Sequence, residues 1–313
     1  MNKILVTGAN GFVGTSLSET LRNRGISFTS AVRRMTKDFQ VAVGDLTENT
    51  DWSGALSDCG AVVHLAARVH VMDDKSNDPL AAFRAVNVEA TLNLARQAAL
   101  AGVKRFVFVS SVKVNGEETS GEPFTAFDQP MPLDPYGQSK LETEIALRVL
   151  ASTTDLEIVI VRPPLVYGPG VGANFFRLMQ LVKLGVPLPL GAICNRRSMV
   201  SVENLVDLLI VCCNHPDAVG QTFMVSDDCD VSIPILLRML SGAMGKKILL
   251  FPVPSKIIYG CSALIGKSAA ANRLIGSLQV DIGHTKNVLK WSPPAALEKS
   301  LQKTVTHFLN NIN

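Results

Sequence analysis

Residues 3–24 read KILVTGANGFVGTSLSETLRNR. An apolar run of strand length at 3–6 leads into three glycines, Gly8, Gly11 and Gly14, and then into a helical stretch at 16–24. A G-x-x-G-x-x-G set between a strand and a helix leaves few ways to fold. Gly8 permits a tight turn out of the strand, Gly11 lets backbone amides approach an anion, and Gly14 lets the helix pack closely. The unpaired N–H groups at the start of the helix then face that anion, and a pyrophosphate matches them. By itself the pattern also fits an ordinary turn. The strand and helix around it favour a dinucleotide, with Asn10, Phe12 and Val13 as the residues between the glycines that touch it.

The rest of the first half repeats the alternation. Runs of strand length fall at 28–32, 61–65, 105–110 and 157–161. Between two of them, residues 82–102 place Phe83, Val86, Ala90, Leu94 and Ala98 on one helix face and stop at Gly102. Strands alternating with helices predict an α/β fold of the Rossmann type, a doubly wound parallel sheet covered on both sides. After about residue 165 the rhythm loosens and Pro and Gly cluster at 163–172 and 186–191. We therefore expect a dinucleotide-binding domain over 1–165, to which later segments return. Residues 166–313 are expected to form a smaller, interleaved α/β region.

Other signals narrow the class. With 30 Lys and Arg against 27 Asp and Glu, a formal net charge of +3, nothing calls for a nucleic-acid partner. Six scattered cysteines form no C-x-x-C pair, so no metal site is expected and a reducing cytoplasm is the expected setting. The apolar stretches at 208–213 and 257–266 are shorter than the ~20 residues of a membrane span. Buried helices are the expectation for both, with a peripheral membrane contact near Lys256 and Lys267 the weaker reading.

The second strand ends in TSAVRRM, with Val32 where such folds place a ribose-binding acid and Arg33 and Arg34 just beyond. Two arginines there suit a 2′-phosphate and lean the choice between NAD and NADP toward NADP, although a solvated basic loop reads the same way. Asp45 and Leu46 in GDLTE are candidates to flank the adenine. Leu65, Ala66 and Ala67 in HLAA stand where the middle of the cofactor passes.

Tyr136 and Lys140 in PYGQSK lie four residues apart, one face of the helix that LETEIALRVL continues. A lysine close to a phenol favours the phenolate and lowers its pKa, which makes Tyr136 a base near neutral pH. Upstream, FVFVSS ends a strand in Ser110 and Ser111, the latter 25 residues before Tyr136.

TGANGFVG, HLAA, VNVEAT, FVFVSS, PYGQSK, VRPPLVYGPG and VSVENLVD occur in one order along the chain. In this the sequence resembles the extended short-chain dehydrogenases/reductases of the nucleotide-sugar epimerase/dehydratase family, including its UDP-glucose 4-epimerase-like branch. The resemblance implies Tyr136 as the proton-transfer residue and Lys140 as its activator. It implies Ser111 on the reacting oxygen, and Asn87, Ser110 and Pro163 beside the cofactor. It also implies Asn174, Arg197 and Arg273 as contacts of a UDP-sugar diphosphate, and a homodimer packed through two long helices. Two departures stand out. Asn115 replaces a tyrosine of many relatives and becomes the expected sugar contact, and Val112 and Lys113 replace the acidic pair that a dehydratase needs.

Chemistry at C4 of a UDP-hexose is therefore expected, in one of two forms that feed surface-polysaccharide synthesis. A 4-epimerase of the UDP-glucose or UDP-GlcNAc type recycles its cofactor. An NADPH-dependent 4-ketoreductase forming UDP-N-acetylquinovosamine consumes it. A non-catalytic dinucleotide sensor is disfavoured because Ser111, Tyr136 and Lys140 are all present.

Overall fold

The computed structural model describes residues 3–36, 40–69, 78–264, 272 and 274–311. Seven parallel strands form the main sheet in the order β3-β2-β1-β4-β5-β6-β9. These are β1 (Lys3–Thr7), β2 (Phe28–Val32), β3 (Gln40–Ala42), β4 (Cys59–His64), β5 (Arg105–Val109), β6 (Glu157–Arg162) and β9 (Thr222–Met224). Side chains alternate between two cores, as a sheet covered on both faces requires. Leu5, Val62, Phe106, Phe108, Ile158 and Ile160 meet helices Ala90–Leu100 and Pro135–Ala151 on one face. Ile4, Val6, Val63, Val107, Val159 and Val161 meet helices Phe12–Asn23 and Val202–Cys212 on the other.

The strand order reverses between β1 and β4. A crevice opens there at the carboxyl ends of the strands, the place where open α/β sheets take ligands. The glycine loop and residues 65–67 form its floor.

The helix expected over 82–102 is interrupted. It runs as Pro79–Arg84, a π-helical turn Ala85–Glu89 and then Ala90–Leu100, and it ends at Gly102, whose φ is +76°. The wide turn is met from outside. The Thr143 hydroxyl donates to the Asn87 carbonyl at 2.9 Å, from the neighbouring helix.

Chain after residue 165 serves both regions. β9 and helix Val202–Cys212 join the Rossmann layers, whereas β7 (Leu165–Tyr167) and β8 (Met199–Ser201) pair in a separate parallel ribbon. A third core gathers Phe175, Met179, Val182, Leu237, Leu240 and Val305. It comes from helices Ala173–Leu184, Ile233–Ala243 and Leu297–Asn310.

Candidate active site

The glycine loop is folded too tightly for side chains. Gly8 has φ +64°, and a Cβ there would lie 2.8 Å from the Ala66 nitrogen; one on Gly14 would lie 2.2 Å from the Gly8 carbonyl oxygen. Gly14 therefore packs on the loop's own backbone rather than on the strand proper. Helix Phe12–Asn23 starts at Gly11 with no side chain capping its first N–H groups. An uncapped helix start over closely packed glycine backbone fits a dinucleotide pyrophosphate. Phe12 and Val13 pack half-buried against the core, which leaves their backbone to the loop.

A cavity of about 1180 Å³ extends from this loop. Gly8, Asn10 and Gly11 line one part, Ala66 and Ala67 another, and Arg33, Arg34, Asp45 and Leu46 the far end. Both arginines are exposed, and Arg33 Nε stands 3.4 Å from an Asp45 carboxylate oxygen. Asn10 is fixed by Gln40, which donates to its side-chain oxygen at 2.9 Å.

Beneath the floor, the Thr7 hydroxyl accepts from the Leu65 and Ala66 N–H groups, both at 3.2 Å. Its own hydrogen is then directed to His64 Nδ1, 2.8 Å away, so Nε2 carries the ring proton and donates to Thr91 at 2.9 Å. Burial first, and the Lys140 charge second, push His64 down to about 3, so it stays neutral. Sequence reading placed HLAA in the crevice and gave the histidine no role. Its pairing with Thr7 ties the β4 loop to β1.

At the inner end, Ser111 and Tyr136 border a common cavity, and the Ser111 hydroxyl accepts from the Lys113 N–H at 3.2 Å. Asp134 caps the helix that carries Tyr136 by accepting from Gly137 N–H at 2.6 Å, and Phe83 packs edge-on against the Tyr136 ring. Lys140 is 2% exposed; its Nζ donates to the Val109 carbonyl at 2.8 Å and lies 4.4 Å from the Phe108 ring centre. The expectation that Lys140 lowers the tyrosine pKa does not describe this arrangement. Desolvation, then the Asp134 charge, push Tyr136 up to about 12, while Ser111 works the other way. Desolvation likewise brings Lys140 down to about 7, against the pull of Glu144.

Several expected contacts are committed elsewhere. Asn87, 1% exposed, accepts from Arg68 N–H at 2.8 Å and donates to Ser139 at 2.9 Å, so its amide clamps the β4 loop to the tyrosine helix. The Ser110 hydroxyl donates to Glu144 at 2.5 Å. Glu144 in turn holds Arg162 through two bonds, at 2.9 and 2.5 Å. Asn115 belongs to the same buried set. Its oxygen accepts from Arg162 at 3.1 Å and its nitrogen donates to the Thr125 carbonyl at 2.8 Å. With both ends of the amide bonded and 3% exposure, Asn115 shapes the wall from behind instead of presenting to a sugar. Pro163 is buried, and its carbonyl accepts from Val112 N–H at 3.0 Å, which fixes the turn after Ser111.

A second cavity, about 310 Å³, adjoins Ser111 and Tyr136 and is lined by Asn174 and Arg197. Its walls are mostly apolar, from Leu165, Phe175, Met199, Ile233 and Leu236. Arg197 donates to the Gly276 carbonyl at 2.8 Å, and burial lowers its pKa against the pull of Glu118. Arg273 lies outside the described residues. Lys113 reaches this cavity too, bonded to Glu117 at 2.9 Å and to Asp134. That strut, which the sequence read only as a missing acid, braces the cap of the tyrosine helix.

Over 99% of the chain, the sequence is 48% identical to the UDP-glucose 4-epimerase of Vibrio cholerae, covering 96% of that protein. A solved structure of MoeE5 with UDP-glucose and NAD superposes with a TM-score of 0.79 at 25% identity, covering 99% of this chain and all of that one. The UDP-N-acetylglucosamine 4-epimerase of Bacillus cereus shares the fold, with a TM-score of 0.79 at 22% identity over the whole of both chains. Residues 4–226, from β1 through β9, match the description of one family, and by that match the chain belongs to the NAD dependent epimerase/dehydratase family.

Proposed function

We propose that the protein interconverts C4 epimers of a UDP-hexose of the UDP-glucose or UDP-N-acetylglucosamine type. One observation carries this reading. Ser111 and Tyr136 both border the 310 Å³ cavity, and the crevice over the glycine loop extends along Ala66–Val69 to Val86, on the helix that packs against the tyrosine helix. The near-half identity to a UDP-glucose 4-epimerase supports the same chemistry.

A bound nicotinamide supplies the acceptor, and then the donor, of the C4 hydride. Tyr136 takes the 4-hydroxyl proton as that hydride leaves and returns it when hydride comes back to the opposite face. Ser111 holds the same oxygen in line with the phenol. Lys140 is fixed on the Val109 carbonyl with its Nζ 5.9 Å from the Tyr136 ring centre, and its charged form would favour the phenolate formed in the reacting complex. Asn174 and Arg197 are the groups lining the second cavity that are suited to a nucleotide diphosphate.

The same reading extends to the cofactor's far end. Arg33 and Arg34 line the crevice where a ribose 2′-phosphate would sit, and Arg33 is held by an exposed Asp45 pair of small worth. We infer that the crevice accepts NADP as well as NAD. We also infer a homodimer through helices Ala90–Leu100 and Pro135–Ala151, whose outer faces carry the exposed Leu100, Ile145 and Val149.

The test is to give purified protein a UDP-hexose with no added dinucleotide and to follow the sugar by NMR. Formation of the C4 epimer to equilibrium supports the reading. Turnover that needs a 4-keto sugar and oxidises NADPH stoichiometrically overturns it in favour of a reductase.

A further inference from the structure

Acids are missing from two long segments. Residues 158–202 and 231–280 hold eleven of the chain's 30 lysines and arginines and none of its 27 aspartates and glutamates. The remaining nineteen cations are interspersed with every acid. Near balance over the whole chain thus conceals a strongly basic part.

The fold brings these segments together. Helix Ala173–Leu184 packs on helix Ile233–Ala243. The stretches that follow them are joined by hydrogen bonds from Leu188 N–H to the Leu249 carbonyl at 2.9 Å and from Phe251 N–H to the Leu188 carbonyl at 3.1 Å. The Lys246 ammonium closes the junction on the Lys183 carbonyl.

The joined surface is apolar as well as basic. Leu184, Val186, Leu249, Phe251, Ile257 and Leu264 are all exposed, Leu184 at 71% and Leu264 at 88%. Helix Ser255–Leu264 turns Ile258 and Tyr259 into the third core while Ile257, Cys261 and Leu264 face outward, at i, i+4 and i+7. Around this stripe stand Lys246, Lys247 and Lys256, all exposed. None of the described helices is long and apolar enough to cross a membrane.

We propose that this face, helix Ser255–Leu264 with the adjoining edges 184–186 and 249–251, docks on an anionic lipid bilayer surface. Apolar side chains would enter the headgroup boundary, and the lysines around them would meet lipid phosphates, as interfacial helices do. Charge decides against a second copy of the chain. A two-fold contact through this face would press its lysines on their own counterparts, with no acid from either segment to pair them.

Sedimentation of the full-length protein with vesicles tests this. Vesicles of roughly three parts phosphatidylethanolamine to one part phosphatidylglycerol should carry it down, phosphatidylcholine vesicles should not, and added salt should weaken the binding. Lys247→Glu with Lys256→Glu, and separately Ile257→Ser with Leu264→Ser, should each cut vesicle binding at least tenfold, with unchanged turnover of soluble UDP-sugar and unchanged Tm. Failure to bind anionic vesicles, equal binding to phosphatidylcholine, or retention of binding by both variants would overturn the proposal. So would a dimer in solution that dissociates in Ile257→Ser/Leu264→Ser, which would assign the face to self-association.

Discussion

Lys140 Nζ is bonded to the Val109 carbonyl at 2.8 Å, and it lies 5.9 Å from the centre of the Tyr136 ring. The ammonium is thus aimed at the end of β5, and Ser111 is the side chain that works to lower the phenol's pKa. Tyr136 is pushed up to about 12 and Lys140 down to about 7, both first by desolvation. One dry environment disfavours charge on either group. It follows that the phenol is neutral at neutral pH before substrate arrives, and that ionisation belongs to the reacting complex.

Removing the phenol oxygen should therefore remove turnover without removing the binding crevice. Tyr136→Phe is expected to lower epimerisation by about a thousandfold, within the range of lost acid–base catalysis. Dinucleotide affinity, read by equilibrium titration, should stay within a few-fold of wild type. Turnover close to wild type would assign the proton to another group.

Gly14 and Gly11 should respond differently to an added methyl. A Cβ on Gly14 would meet the Gly8 carbonyl at 2.2 Å, whereas one on Gly11 would meet the same atom at 3.1 Å. Gly14→Ala is expected to cost about 1–3 kcal/mol of stability, as overpacking does, and to weaken dinucleotide binding more than tenfold. Gly11→Ala should lose less in both measurements. Equal losses would mean that the loop yields where the geometry says it cannot.

The far end of the crevice is tested by charge. Arg33→Ser combined with Arg34→Ser should weaken NADP binding at least tenfold and leave NAD binding little changed. Arg33 exchanges an exposed carboxylate, Asp45, for a phosphate, so the effect should shrink as salt rises. Parallel losses for both dinucleotides would remove the 2′-phosphate reading.

His64 should make the fold acid-sensitive. Its pKa in the fold is about 3 against an ordinary 6.5, so between those values the unfolded chain holds more protons than the folded one. Its contribution is complete above about pH 6.5 and is lost as pH falls toward 3. The size is on the order of a few kcal/mol. In urea titrations, His64→Gln should be less stable than wild type at pH 7 and should show a shallower loss on acidification. Identical acid slopes would contradict a neutral His64 held between Thr7 and Thr91.

Much of this site was legible because it rests on local patterns. The parallel strands follow from apolar runs separated by helical spacing, and Ser111, Tyr136 and Lys140 meet as strand end and helix face require. What was hidden is the wiring across distance. Glu144 and Arg162 are 18 residues apart on a helix and a strand, and no spacing rule announces that they bond or that they draw in Ser110 and Asn115. Asn87 reads as a polar residue on a cofactor-facing helix. The π-helical turn around it rotates its amide into the Arg68–Ser139 clamp, a register change without a compositional signal. The acid-free segments were plain in the sequence, but only the pairing of 188 with 249–251 shows that they form one surface.

The most direct measurement follows the C4 hydrogen. UDP-glucose deuterated at C4, incubated with the protein in ordinary water, should yield the C4 epimer with deuterium still at C4, because the hydride that leaves the sugar returns to it within one site. Loss of the label to water or to free dinucleotide, or epimer formed without cleavage of the C4–H bond, would contradict the account.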